Sequence, residues 1–125
     1  MRAFCLLLLA ACLVSASPFD QIDCWAVRDS IAHAEVGADV VELGGDVMSW
    51  ALYNASADTG VNVGFAAVDD TTALSAFIPI AKAAWSGTFS CGVPGTYGLR
   101  TLYVSYADSA GVGDPVYILC WGHKD

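Results

Sequence analysis

Past its first twenty residues, the chain repeats its apolar side chains every second position. Asp46–Tyr53 reads D-V-M-S-W-A-L-Y and sets Met48, Trp50 and Leu52 on one face. Gly60–Val68 sets Val61, Val63, Phe65 and Ala67 together, with Asn62 and Gly64 opposite. Trp85–Cys91 groups Trp85, Gly87, Phe89 and Cys91 against Ser86, Thr88 and Ser90. Thr96–Tyr106 is rich in β-branched and aromatic residues, and Pro115–Trp121 is strongly apolar. A period of two is the signature of a half-buried strand, whereas a helix repeats near 3.6. Turn-forming clusters punctuate the strands at Gly44–Asp46, Asp58–Gly60, Asp69–Thr71, Pro94–Gly95 and Gly111–Asp114. Pro79 limits Leu74–Lys82 to an edge strand or a loop, because proline cannot donate to a ladder. Cys24–Leu43 adds two or three shorter strands, with Ile31–Val36 fitting a helical turn equally well. The expected fold is all-β, a single antiparallel β-sandwich of seven to eight strands. Its expected core includes Trp50, Leu52, Val63, Phe65, Phe89, Tyr97, Leu99 and Ile118.

The first residues carry a different pattern. Met1-Arg2 is a short basic start, Ala3–Val14 is almost wholly apolar, and Val14-Ser15-Ala16 places small residues before a cleavage point. This is the layout of a secretory signal peptide. The apolar run is about a dozen residues, against the roughly 20 needed to span a bilayer. The expected organisation is a signal peptide at 1–16 and one domain at 17–125, secreted or held in the lumen of the secretory pathway. No later stretch has the length of a transmembrane segment.

Composition narrows the partners. Of 125 residues, 56% are hydrophobic and 14% charged, which is unlike a disordered chain. Thirteen acidic residues against five basic ones give a net charge of −8, so phosphate backbones and anionic lipid surfaces are repelled. Nucleic acid is therefore not an expected partner.

Cys5 and Cys12 lie in the export signal, leaving Cys24, Cys91 and Cys120. Alternation turns Cys91 inward, and terminal strands of a sandwich often adjoin. A Cys24–Cys120 disulfide is the expected bridge, with three buried thiols as the alternative. Such a bridge would contribute about 4–5 kcal/mol by closing nearly the whole domain.

No catalytic or metal constellation is apparent, and no cofactor is expected. His33 and His123 are far apart in sequence, and neither C-x-x-C nor H-x-x-x-H occurs. Asp58, Asp69, Asp70 and Asp108 lack the D-x-D-x-D-G order of a calcium loop and read as turn caps. An inward Cys91 is a poor nucleophile. The expectation is a non-enzymatic protein. Asn54-Ala55-Ser56 is an N-x-S sequon and a candidate glycosylation site at Asn54. Trp25, Trp85 or Trp121 on an outer face would form a stacking platform, with Trp121 the preferred binding-surface candidate.

Three segments in order also resemble the GOLD (Golgi dynamics) domain. Gly45-Asp46-Val47-Met48-Ser49-Trp50-Ala51-Leu52 is similar to the G-x-V-x-x-W-x-F strand of the GOLD domain in CRAL-TRIO lipid-transfer proteins. Val61–Val68 resembles the D-I-G-F-G-V strand that follows there, and Gly87–Arg100 resembles a stretch ending P-G-T-Y-x-L-R. The chain departs from the family at Thr101-Leu102-Tyr103-Val104, where F-D-N usually follows the Leu-Arg pair, and at Leu74–Ala84. The resemblance implies an interaction module that binds a protein or lipid partner in the secretory pathway. The alternative is a small secreted carbohydrate-binding β-sandwich.

Overall fold

Among the described residues, seven strands alternate inward and outward side chains, and every pairing between them is antiparallel. The structure, a computed structural model, describes residues 22–66, 74, 76–91 and 98–125. The expected export signal at 1–16, Asp69, Asp70 and Tyr97 lie outside the described residues. The strands are β1 (Asp23–Ser30), β2 (Asp39–Asn54), β3 (Val61–Gly64), β4 (Phe77–Ile80), β5 (Ala84–Ser90), β6 (Leu99–Tyr106) and β7 (Pro115–Lys124). A 3-10 turn at Ser109–Gly111 joins the last two, its start capped by the Asp108 carboxylate accepting from the Ala110 N–H at 2.9 Å.

The sixteen residues of β2 organise the fold. One edge pairs with β7 from Gly45 to Asn54. The other edge pairs first with β6, over Asp39–Glu42 and again at Val47, and then with β5, from Ser49 to Asn54. The sheet therefore forks along a single strand. One layer runs β1–β7–β2–β5 and the other β2–β6–β3–β4. Their inner faces enclose one core. Trp50, Leu52, Val116, Ile118 and Cys120 come from the first layer, and Val41, Leu43, Val61, Val63, Leu102, Val104 and Tyr106 from the second. This is a two-layer β-sandwich.

A β-bulge lets β2 serve both layers. Val47 pairs with Gly122 and Ser49 with Trp121, so Met48 is the extra residue. Before it, the odd positions Val41, Leu43 and Val47 point inward; after it, the even positions Trp50 and Leu52 do. Met48 thus leaves the face it was expected to share with Trp50, and Val47 takes that place, fully buried. The expected turn at Gly44–Asp46 is instead a bend within the strand, with Gly44 at φ +79°. Gly122 has no room for a side chain there, since an added Cβ would lie 2.1 Å from the Asp46 carbonyl oxygen.

A second bulge reorients β5. Tyr53 pairs with Trp85 and Ala51 with Thr88, leaving Ser86 and Gly87 together opposite Leu52. Gly87 takes φ +82°, which an L side chain rarely adopts, and the Leu52 N–H donates to the Ser86 hydroxyl at 2.9 Å. Trp85 is consequently outside and 56% exposed, not on the inner face with Phe89 and Cys91. Phe65 also departs from expectation. The strand ends at Gly64, so Phe65 sits at the open rim, 50% exposed, its ring edge against Trp50 at 6.5 Å between centroids. Phe89 and Leu99 are partly buried against the core, while Trp50, Leu52, Val63 and Ile118 are fully buried as expected. Ile31–Val36 is neither strand nor helix, and Pro79 falls in β4, an edge strand.

Candidate functional site

The outer face of β1–β7–β2–β5 carries the exposed rings of Trp85 and Tyr117. Register fixes its rows, because residues opposite each other on antiparallel strands share a face. Arg28, Tyr117, Tyr53 and Trp85 form one row across all four strands. Ala26, Leu119, Ala51 and Thr88 form the next, and Cys24, Trp121, Ser49 and Ser90 the third. Arg28 is the only charged side chain in these rows, on a chain of net charge −8. Its guanidinium carbon lies 5.9 Å from the Tyr117 ring centroid, and its Nε–H donates to the Tyr117 hydroxyl at 3.4 Å. Tyr53 and Trp85 are 5.1 Å apart at a 42° tilt.

Trp121 stands on this face, half-buried beside Cys24, so the expected candidate is one member of a larger surface. Trp25 does not join it. Trp25 packs against the core and its indole N–H donates to the Leu43 carbonyl at 2.7 Å. Arg28, Tyr53 and Tyr117 were not legible as site residues. Their common row arises from the pairing of strands distant in sequence. Tyr117 alternates visibly with Leu119 and Trp121, which was the available signal.

The Cys24–Cys120 disulfide is not formed. Cys24 lies opposite Trp121 and Cys120 opposite Trp25, so a one-residue offset sends the two thiols to opposite faces of the sheet. Cys24 is exposed, Cys91 half-buried and Cys120 fully buried, all as free thiols. Burial holds the Cys120 thiol up at about 11, with the Cys24 and Cys91 thiols adding to the shift. Burial also raises Cys91, against the lowering effect of a backbone hydrogen bond at Leu99, and its Sγ–H donates to the Val47 carbonyl at 3.1 Å. Neither has the electropositive setting of a reactive thiolate.

Asn54 is fully buried rather than displayed for glycosylation. Its amide nitrogen donates to the Thr59 and Ala81 carbonyls at 2.9 and 3.2 Å, and its oxygen accepts the Ser56 N–H at 3.0 Å. Every polar atom of the side chain is committed to closing the loop after β2, leaving no nitrogen for a glycan.

His33 meets Asp39 at 2.6 Å through Nδ1, and the Ala32 N–H donates to the other Asp39 oxygen at 2.5 Å. The pair closes one end of the sandwich. His123 is exposed on β7, far from it in the register. Among the described residues, no group of three or more His, Cys, Asp or Glu side chains gathers as a metal site. No described helix is long and apolar enough to cross a membrane.

No protein-family model matches the chain, and no curated protein matches it significantly. Among solved structures it is similar to a chain from work describing Bacillus endospore appendages as a novel family of disulfide-linked pili. The identity is 12%, the TM-score 0.49, and the match covers 83% of this chain and 87% of that one.

Proposed function

We propose that this protein is an exported, non-enzymatic interaction module that binds a partner protein through the outer face of β1–β7–β2–β5. The row Arg28–Tyr117–Tyr53–Trp85 carries the proposal. Tryptophan, tyrosine and arginine are the residues most enriched where interface energy concentrates, and interface centres are depleted in charge. This face combines both features. A self-repelling acidic chain stays soluble, and it meets a partner on the side where carboxylates are scarce. The apolar segment at 3–14 supports export. The GOLD resemblance supports a partner in the secretory pathway. It rests on segments that contribute to β2, β3, β5 and β6.

A second role, carbohydrate binding, draws on the same row, since Trp85 and Tyr117 are both exposed aromatic rings. The two are separated by comparing the processed protein with a Trp85→Ser/Tyr117→Ser double variant. The protein-binding role predicts that a partner co-purifying from the exported fraction is lost in the variant, with no retention on immobilised polysaccharide that depends on the two rings. Retention on polysaccharide that the variant abolishes favours the carbohydrate role. Unchanged partner recovery in the double variant contradicts use of this face.

A further inference from the structure

The opposite outer face, on β6–β3–β4, carries a pocket of about 220 Å³ lined by Glu35, Asn62, Leu74, Phe77, Ser105 and Ala107. Asn62 pairs with Ser105 on β6 and with Pro79 on β4, so its side chain stands on the floor of this face. Gly64 leaves the next row open, and Leu74 fills the space over it at 3.6 Å from where a Cβ would be. Phe77 lies opposite Gly64 and is 49% exposed, forming an apolar wall.

One polar group of the pocket is unspent. Among the described residues, the Asn62 carboxamide has no hydrogen-bond partner in the protein. The Ser105 hydroxyl is 3% exposed and reaches only its neighbour's carbonyl, at 3.5 Å. The walls are also strained. Glu35 has φ +64°, with the Val36 N–H donating to the Ala34 carbonyl at 2.7 Å, which makes it the centre of a γ-turn of the rare kind. Ala76, beside Phe77, has φ +47°. Non-glycine residues in this region are strained and gather where a site needs a set shape. The Glu35 N–H donating to the Tyr106 carbonyl at 2.9 Å holds the strained turn against β6.

We propose that this pocket binds a single neutral sugar ring. A carboxamide offers one donor group and one acceptor, which suits adjacent hydroxyls that each donate and accept. The Ser105 hydroxyl, its hydrogen turned to the Tyr106 carbonyl, adds an acceptor, and the Glu35 carboxylate accepts only. Phe77 presents an aromatic surface to the weakly positive C–H face of a pyranose. An anionic sugar is disfavoured by Glu35 and by the acidic chain. The volume lies below the roughly 300–1,000 Å³ of pockets for larger ligands, so one ring enters rather than an oligosaccharide. The site is separate from the aromatic face and does not depend on the function proposed for it.

The test is an amide NMR titration of the processed protein with neutral hexoses and N-acetylhexosamines, with a uronic acid and an amino sugar as charged comparisons. The expected result is saturable shifts at Asn62, Phe77 and Ser105 with at least one neutral sugar. Affinity should fall tenfold or more in Asn62→Ala and in Phe77→Leu, and stay unchanged in Trp85→Ser/Tyr117→Ser. Phe77 is exposed at an edge strand, so Phe77→Leu preserves the fold even where Asn62→Ala does not. Absence of saturable shifts with every neutral sugar overturns the proposal. So do binding confined to the charged sugars, and shifts centred on Trp85 and Tyr117.

Discussion

Trp85 faces Tyr53 across the β5–β2 ladder with ring centroids 5.1 Å apart, yet Phe89, four residues along the same strand, stacks on the buried Trp50 at 4.8 Å. Without the Gly87 bulge, residues four apart would share a face. One inserted residue therefore separates an outer aromatic pair from an inner one, and creates the surface assigned to partner binding.

The two tryptophans should respond very differently to truncation. Trp50→Ala removes a fully buried indole and is expected to cost about 3–5 kcal/mol, a large part of a small domain's stability. Trp85→Ser loses one exposed ring contact and is expected to cost about 1 kcal/mol. Trp50→Phe should cost less than Trp50→Ala, because the buried Trp50 Nε1 has no hydrogen-bond partner to lose. Urea unfolding of the three variants provides the comparison; equal losses for Trp85→Ser and Trp50→Ala would contradict the bulge.

Thiol chemistry should resolve the cysteines in order of burial. In the folded protein under native conditions, Cys24 is expected to react promptly with an aromatic disulfide reagent. Cys91 should follow slowly, and Cys120 only on unfolding. Mass spectrometry of the timed products identifies each site. A native mass two hydrogens lighter, with a Cys24–Cys120 peptide, would contradict the register of β1 on β7.

Alkaline pH should weaken the fold through two buried acids. Burial raises Tyr106 to about 12 and Cys120 to about 11, above ordinary values of 10.0 and 9.0. A raised acid keeps its proton in the folded chain while the unfolded chain releases it. Stability is therefore complete below the ordinary value and is lost as pH climbs from 9.0 to about 11 for Cys120 and from 10.0 to about 12 for Tyr106. Each raised group contributes up to about 1.4 kcal/mol per pH unit within its window. Tyr106→Phe should flatten the upper window while weakening the fold at neutral pH by about 1 kcal/mol, since its hydroxyl donates to the Asp114 carbonyl at 2.6 Å. Chemical denaturation at stepped pH measures both effects.

Asn54 should behave as a structural residue. Asn54→Ala leaves the Ser56 N–H and the Thr59 and Ala81 carbonyls without their partner, and is expected to cost about 1–3 kcal/mol. The protein secreted from a glycosylating host should have the mass of the bare polypeptide. An added glycan on folded material would contradict the burial of Asn54.

Alternation along the chain made most of the fold legible. Trp50, Leu52, Val63 and Ile118 are inside, as their spacing implied, and Pro79 marks an edge. The misplacements cluster at the bulges and at strand ends. A bulge inserts one residue and inverts every position after it, but its sequence signal is weak: Met48 has no distinctive composition, and Gly87 reads as one small inward residue. The long β2 was hidden because Gly44-Gly45-Asp46 has the chemistry of a turn yet runs through as strand. The outer face was less legible than the core. Its rows join residues from β1, β2, β5 and β7, and only the register brings them together.

The measurement that bears most directly on the proposed role is photo-crosslinking from single positions of the full chain in the cells that produce it. A crosslinker at Thr88 lies within the aromatic face, and one at Glu42 lies on the outer side of the other layer. The account predicts a discrete protein adduct from position 88 that disappears with Trp85→Ser/Tyr117→Ser, and none from position 42. Adducts of equal yield from both positions, or an adduct at 88 that survives loss of the two rings, would contradict it.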